Sequence, residues 1–486
     1  ISGTAGITLA LDANIMNFDL SGTGANILTL NTGVLAATTV KLGLSGADQA
    51  VNSANVVMTV NGVAAALDAA ATITGGTAAD TINITTDTEA DAAISLASKV
   101  TNVETINILD NGDAVVGAAK LASGMDASIT TGAYATALTI DASALDAASA
   151  DDNADGKIDN TDVSAEILTV DGSSASAVLT ITGGGAGDAI TGGTVNDIIN
   201  SGGGNDTITG TAGGNDTINA GDGDDTINMG ATLTASDIID GGEGKDKLIV
   251  TSMSTAALAN VTNVETLSFN GTASLAADLS FTTIDLTNGA TADSLTFATG
   301  YTTATTVAVE ASDTVINNAK IAMTVTASSD ELQTADNTTI TGNATTLLDV
   351  LNVTASSSTV NTGSLITNVN TINVLDTGDA ATGATAAGED ITIDLASYAT
   401  ALTIDASALD VGTTNAAGVD QADFENLTIT GTSAKALTVT GGAGNDTMIG
   451  SSDSATGDTL TGGSGVDTFT MATNLTYADT INGGVG

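Results

Sequence analysis

Between Gly183 and Ile249 aspartate recurs with a ruler: Asp188, Asp197, Asp206, Asp216, Asp225, Asp237 and Asp246 fall at steps of 9, 9, 10, 9, 12 and 9 residues. Glycines precede most of them and an aliphatic residue follows two positions later, as in Gly202-Gly203-Gly204-Asn205-Asp206-Thr207-Ile208 and Gly221-Asp222-Gly223-Asp224-Asp225-Thr226-Ile227. This is the G-G-x-G-x-D-x-U-x nonapeptide, in which a glycine turn leads into a three-residue strand. A second block repeats it around Asp446, Asp458 and Asp467. A chain with such a period folds by stacking: each turn buries one aliphatic residue against its neighbours, and no rung is stable alone. The expected fold is all-β, a right-handed parallel β-solenoid or β-roll with additional β segments. Ile190, Ile199, Ile208, Ile218, Ile227 and Leu248 are its expected inner ladder.

Composition agrees with a solenoid and disagrees with one large core. Of the 486 residues 42% are hydrophobic, yet aromatics are 2% and Trp is absent, so the apolar residues are the small and β-branched ones that repeated rungs accept. Proline is also absent, and breaks fall at Gly, Asn and Asp at regular intervals. Helical periodicity is lacking, with a short helical turn expected only around Glu89 to Lys99.

Long-range repetition sets the expected organisation. Thr101-Asn102-Val103-Glu104-Thr105-Ile106 returns as Thr367-Asn368-Val369-Asn370-Thr371-Ile372 and, in part, as Thr262-Asn263-Val264-Glu265-Thr266-Leu267. Tyr134 to Asp146 returns unchanged as Tyr398 to Asp410. The expected order is a leading β segment (1–70), a first repeat (71–250), a spacer β block (251–338) and a second, truncated repeat (339–486). Starting on Ile1 and ending on Gly483-Gly484-Val485-Gly486, the chain reads as a fragment of something longer.

The formal charge of -49, from 57 acidic residues against 8 basic ones, argues against nucleic acid and against insertion into or docking on an anionic membrane. No apolar run reaches the length of a membrane span. There is no Cys for a disulfide and no His, which removes Ser-His-Asp, Cys-His and HExxH chemistry; the chain is read as not an enzyme. A carboxylate-pair hydrolase needs no His, but sugar platforms need aromatic side chains, which are scarce here.

Carboxylates at this spacing point to a divalent cation. Calcium takes six to eight oxygen ligands, which glycine-turn carbonyls and one Asp per turn can supply, and without it the same carboxylates would repel one another. The expected ligands are Asp188, Asp197, Asp206, Asp216, Asp225, Asp237, Asp246, Asp446, Asp458 and Asp467, holding several structural calcium ions. Asp237 and Asp458 lie in irregular turns without the preceding Gly pair, and the turn ending in Asp80 stands alone. A separate candidate is the loop Asp151 to Asp162, which fits D-x-N-x-D-G: Asp151, Asn153, Asp155, Asp159 and Asp162 offer side-chain oxygens and Lys157 a carbonyl.

At these residues the chain resembles the RTX group of type I secreted Gram-negative proteins. The TNVETI-like markers and the Leu-Thr-Ile-Asp-Ala-Ser phrases also resemble the calcium-dependent S-layer proteins of that group. The resemblance implies that the sixth-position Asp is the side-chain ligand, that folding awaits extracellular calcium, and that copies assemble in a lattice or filament at the surface of a Gram-negative bacterium. Anchoring would use a cell-surface polysaccharide through a region outside this segment. The alternative readings are an RTX adhesin stalk or biofilm matrix protein, and, more remotely, the calcium-binding tail of an enzyme.

Overall fold

In the computed structural model the residues described are 8–11, 17–20, 27–31, 34, 37–42, 48–63, 72–85, 92–95, 99–109, 126–145, 166–251, 255–276, 279, 281–287, 289, 292–333, 337–345, 348–355, 359–362, 365–375, 390–396, 398–409, 425–431, 433–471 and 475–485. They fold as short strands, all paired parallel, and the helical elements among them are two 3-10 turns, Thr255–Leu258 and Asp330–Leu332. Where a helical turn was expected, around Glu89 to Lys99, the chain instead forms the strand Ala92–Ser95, paired in parallel with Ala127–Thr130. Stacking a fresh strand edge satisfies more main-chain groups than one isolated helical turn would.

The chain divides into two compact units, residues 1–251 with 256–265, and residues 252–255 with 266–486. In the first, alternate strands build one ladder from Asn17–Leu20 through Met58–Val63, Thr105–Leu109, Leu179–Thr182 and Thr217–Asp222 to Val261–Thr262, while the intervening strands build the facing ladders. Parallel order with successive strands on opposite sides is what a coil of two-strand rungs requires. The second unit repeats the scheme from Thr266–Phe269 to Thr480–Asn482.

Register explains why so few residue types suffice. Phe18, Val40, Val60, Ile82 and Ile106 stack in line, followed by Ile140, Ile181, Ile199, Ile218 and Ile239, all buried. Ile190, Ile208, Ile227 and Leu248 form the opposing line, so the six residues expected in one inner ladder are all buried but divide between two facing lines, Ile199 and Ile218 lying in the other. Because side chains alternate along a strand, the residues on either side of each aliphatic face outward. Those positions carry rows of Thr and Asn, such as Thr59, Thr81 and Thr105 beside Asn61, Asn83 and Asn107. The Asn row is itself zipped: Asn83 Nδ2 donates to Asn61 Oδ1 and Asn107 Nδ2 to Asn83 Oδ1, each at 2.8 Å.

The TNV markers take one conformation each time they occur. Asn102, Asn263 and Asn368 all adopt positive φ, at 52°, 51° and 57°, a region that Asn tolerates better than most residues. The following Val103, Val264 and Val369 are buried. Tyr134 clamps the first marker, its hydroxyl donating to Val103 O at 2.7 Å and accepting from Val103 N at 2.8 Å; Tyr398 donates to Val369 O in the second unit.

Candidate metal centre

The nonapeptide aspartates stack in columns along the edges of the solenoid. One column runs Asp188, Asp206, Asp225, Asp246: Oδ1 of each accepts the main-chain amide of the residue one rung earlier. The distances are 2.8 Å from Leu168 to Asp188, then 2.6, 2.7 and 2.9 Å along the column. Glu265 of the TNVE marker closes it, its Oε2 accepting the Asp246 amide at 2.9 Å. Asp197, Asp216 and Asp237 form the other column in the same way, starting from the Leu179 amide. In the second unit Asp446 leads to Asp467, and Asp458 to Asp479.

The second carboxylate oxygen distinguishes two kinds of turn. In closed turns an amide of the same turn donates to Oδ2: Gly184 to Asp188 at 2.9 Å, Gly193 to Asp197 at 2.5 Å, Thr234 to Asp237 at 2.7 Å. Gly442 does so for Asp446 and Ser451 for Asp458. In open turns Oδ2 is buried with no hydrogen-bond partner, and this holds for Asp206, Asp225, Asp246 and Asp467; the Ser201 hydroxyl lies beside Asp206 but donates its one hydrogen to Ala220 O at 2.6 Å. Each of these four turns has two glycines at positive φ bracketing one residue: Gly202 and Gly204, Gly221 and Gly223, Gly242 and Gly244, Gly463 and Gly465. At Gly223, with φ at 135°, a Cβ would also lie 2.0 Å from the Gly204 carbonyl oxygen of the rung before, so no other residue fits.

Burial makes several of the stacked carboxylates hard to ionise. It pushes Asp206 up to about 8 and Asp188 up to about 7 from the ordinary 3.8, and the neighbouring Asp188 and Asp225 carboxylates raise Asp206 further. Burial likewise raises Asp216, Asp225 and Asp446 to about 6. A buried carboxylate oxygen with no donor is a strong demand for a cation, since an unpaired charged group in an apolar setting is among the costliest features a fold can carry.

The donor set suits calcium rather than a transition metal, because every ligand on offer is oxygen. Among the described residues no three acidic, His or Cys side chains stand close enough to hold an ion by themselves, so one carboxylate per turn must be completed by main-chain carbonyls. Beside the first column an open polar groove of about 490 Å³ is lined by Asn219, Asp222, Glu243, Asn263 and Glu265.

Other expected sites sort differently. Asp80 is fully satisfied: Oδ1 accepts from Met58 N at 2.6 Å and Asn52 Nδ2 at 2.9 Å, and Oδ2 from Gly76 N at 2.6 Å. Asp151, Asn153, Asp155, Lys157, Asp159 and Asp162 lie outside the described residues. The sequence reading passed over two aspartates that stack in the same manner, Asp293 and Asp313, the latter raised to about 6 by burial; the Asp293 amide donates to Asp313 Oδ1 at 2.9 Å. Their legible signal is Asp followed two residues later by Leu295 or Val315, without any glycine pair.

The RTX calcium-binding nonapeptide repeat matches the chain in four copies, at residues 182–214, 212–231, 233–250 and 438–456. No curated protein and no solved structure is significantly similar to it. Three of the four open turns fall inside the matched segments, so the repeats and the open carboxylate oxygens coincide along the chain. Nonapeptide repeats seated in a ladder of parallel two-strand rungs make this chain an RTX-type calcium-binding β-roll protein.

Proposed function

We propose that the protein is a structural subunit of an extracellular assembly, a surface layer or surface filament whose copies both fold with calcium and join through it. The observation that carries this reading is the buried, partnerless Oδ2 of Asp206, Asp225, Asp246 and Asp467 in stacked glycine turns. Those residues would each give one anionic ligand, and the glycine-rich main chain the rest. When bound, calcium supplies positive charge that cancels repulsion between rungs. RTX repeat proteins are typically secreted, and no helix among the described residues is long and apolar enough to cross a membrane.

Assembly is supported by what remains after the columns are served. Asp222, Asp224 and Glu243 are exposed, and Asp222 sits directly opposite Glu243 in the sheet, so like charges adjoin on an outer flank. The outward Thr and Asn rows offer long regular faces for repeated contacts. With a net charge of -49, two such faces repel until a divalent ion bridges them. A structural role also fits a chain without a single His.

Light scattering and electron microscopy across a calcium titration, with magnesium as control, test the reading. Ordered sheets or filaments are expected above a calcium threshold higher than the one needed for folding. Protein that folds with calcium yet stays monomeric at millimolar calcium would refute assembly and favour an adhesin stalk or biofilm matrix role.

A further inference from the structure

Although the repeat places an Asp at the sixth position on both edges of the solenoid, the two edges are not built alike. We infer that calcium loads along one edge of the 183–249 run only, at the turns whose paired left-handed glycines leave Oδ2 open, while on the opposite edge Asp197 and Asp237 are held by metal-independent caps. The inference rests on the calcium reading above and narrows it.

The argument starts from the two oxygens of a carboxylate. Oδ1 performs the same task in all turns, accepting an amide from the rung before, so it cannot distinguish them. Oδ2 does. In a closed turn the donated N–H points at the oxygen a cation would need, and its partial positive charge occupies that place. Asp197 and Asp237 on one edge are closed by Gly193 and Thr234, which leaves Asp216 between two closed turns. The facing edge has Asp206, Asp225 and Asp246 open on three successive rungs, each residue at most 1% exposed.

Within the nonapeptide turns the open form goes with positive φ at both glycines. That backbone form rotates the intervening peptide units so that no amide of the turn reaches the carboxylate, and all four turns with that pair have an open Oδ2. Asp188 and Asp446 begin their columns in turns without it, and both are closed. The same division appears in the second unit, where Asp467 is open while Asp458 and Asp479 are capped by Ser451 and Thr476.

The test is the calcium stoichiometry of the refolded full chain, by equilibrium dialysis, for wild type, Asp225→Asn and Asp197→Asn. Asp225→Asn is expected to lose at least one bound ion; Asp197→Asn is expected to keep the wild-type number while unfolding more easily in calcium and chelator alike. Equal loss of ions from both variants overturns the inference. Since either variant could fail to refold, the wild-type protein is also soaked with a lanthanide and its ions located by anomalous scattering. Density along the Asp206 edge alone supports one-sided loading, and density on both edges overturns it while leaving the calcium reading intact. Wild-type protein that binds no calcium overturns both.

Discussion

Replacing Asp225 with Asn should change stability in opposite directions with and without calcium. Asp225 is 1% exposed, its Oδ2 has no hydrogen-bond partner, and burial together with the Asp246, Asp224 and Asp222 carboxylates raises its pKa to about 6. At pH 8 the side chain is therefore ionised, and chelation leaves an unpaired charged oxygen inside the column. Asn keeps the Oδ1 acceptor that holds the Asp206 amide at 2.7 Å and exchanges the offending oxygen for a neutral donor. A buried unsatisfied group costs about 1–3 kcal/mol, more when charged, so in chelator the variant should be more stable by about that amount. With a urea slope of about 2 kcal/mol per molar, the midpoint rises by roughly 0.5–1.5 M. In millimolar calcium the variant lacks an anionic ligand and its midpoint should fall below that of wild type. Urea unfolding followed by circular dichroism in both buffers measures this. A shift of the same sign in calcium and chelator would refute the claim that the open oxygen faces a cation.

For the chelated protein, Asp188 and Asp206 have folded values of about 7 and about 8 against an ordinary 3.8, so the folded state holds protons that the unfolded chain releases. Their contribution is present below about pH 4 and is lost as pH rises through 7 to 8; a urea midpoint in chelator that climbs between pH 5 and pH 8 contradicts this. Asp80→Ala removes the acceptor of the Met58 and Gly76 amides and should cost about 2–6 kcal/mol, at about 1–3 kcal/mol per orphaned group, equally in calcium and chelator. Asp206→Ala should be the more damaging of the two only when calcium is present, as thermal melts in both buffers would show.

Much of this architecture is written in the period of the chain. Asp followed two residues later by an aliphatic gives both the turn and the inward side chain, which is why Ile208, Ile218 and Ile227 could be placed from spacing alone. Spacing does not say whether a turn is open. Gly442-Ala443-Gly444-Asn445-Asp446 and Gly463-Ser464-Gly465-Val466-Asp467 spell the same motif, yet the first is closed and the second open. The difference lies in the rung underneath. Gly463 is backed by the Gly442 carbonyl and Gly465 by that of Gly444, whereas Gly442 and Gly444 back onto Leu409 and Glu425, which belong to no glycine turn. A glycine turn takes the left-handed form where it stacks on another glycine turn, a property of pairs of rungs that no single nonapeptide reveals.

The TNVE markers acquire a meaning from the columns that their sequence alone does not carry. Each Asp needs the next rung to satisfy its own amide, so a column is polar and must be ended by an acceptor of a different kind. Glu265 ends the run at Asp246, and Glu104 meets the Asp80 amide at 2.7 Å. At the third marker Asn370 Oδ1 accepts, more loosely, from Asp349 N at 3.4 Å. A longer side chain is suited to the task because the marker's main chain turns away through Asn at positive φ and carries no glycine turn to bring a carboxylate closer. Along the Asp188 column rung-to-rung bonding through Oδ1 is thereby complete from the first turn to the marker without any metal. On the one-sided reading, calcium acts within this fold by neutralising Oδ2 at the open turns, and its effect on stability should be concentrated at Gly202 to Asp246 and at Gly463 to Asp467 rather than spread along the ladder.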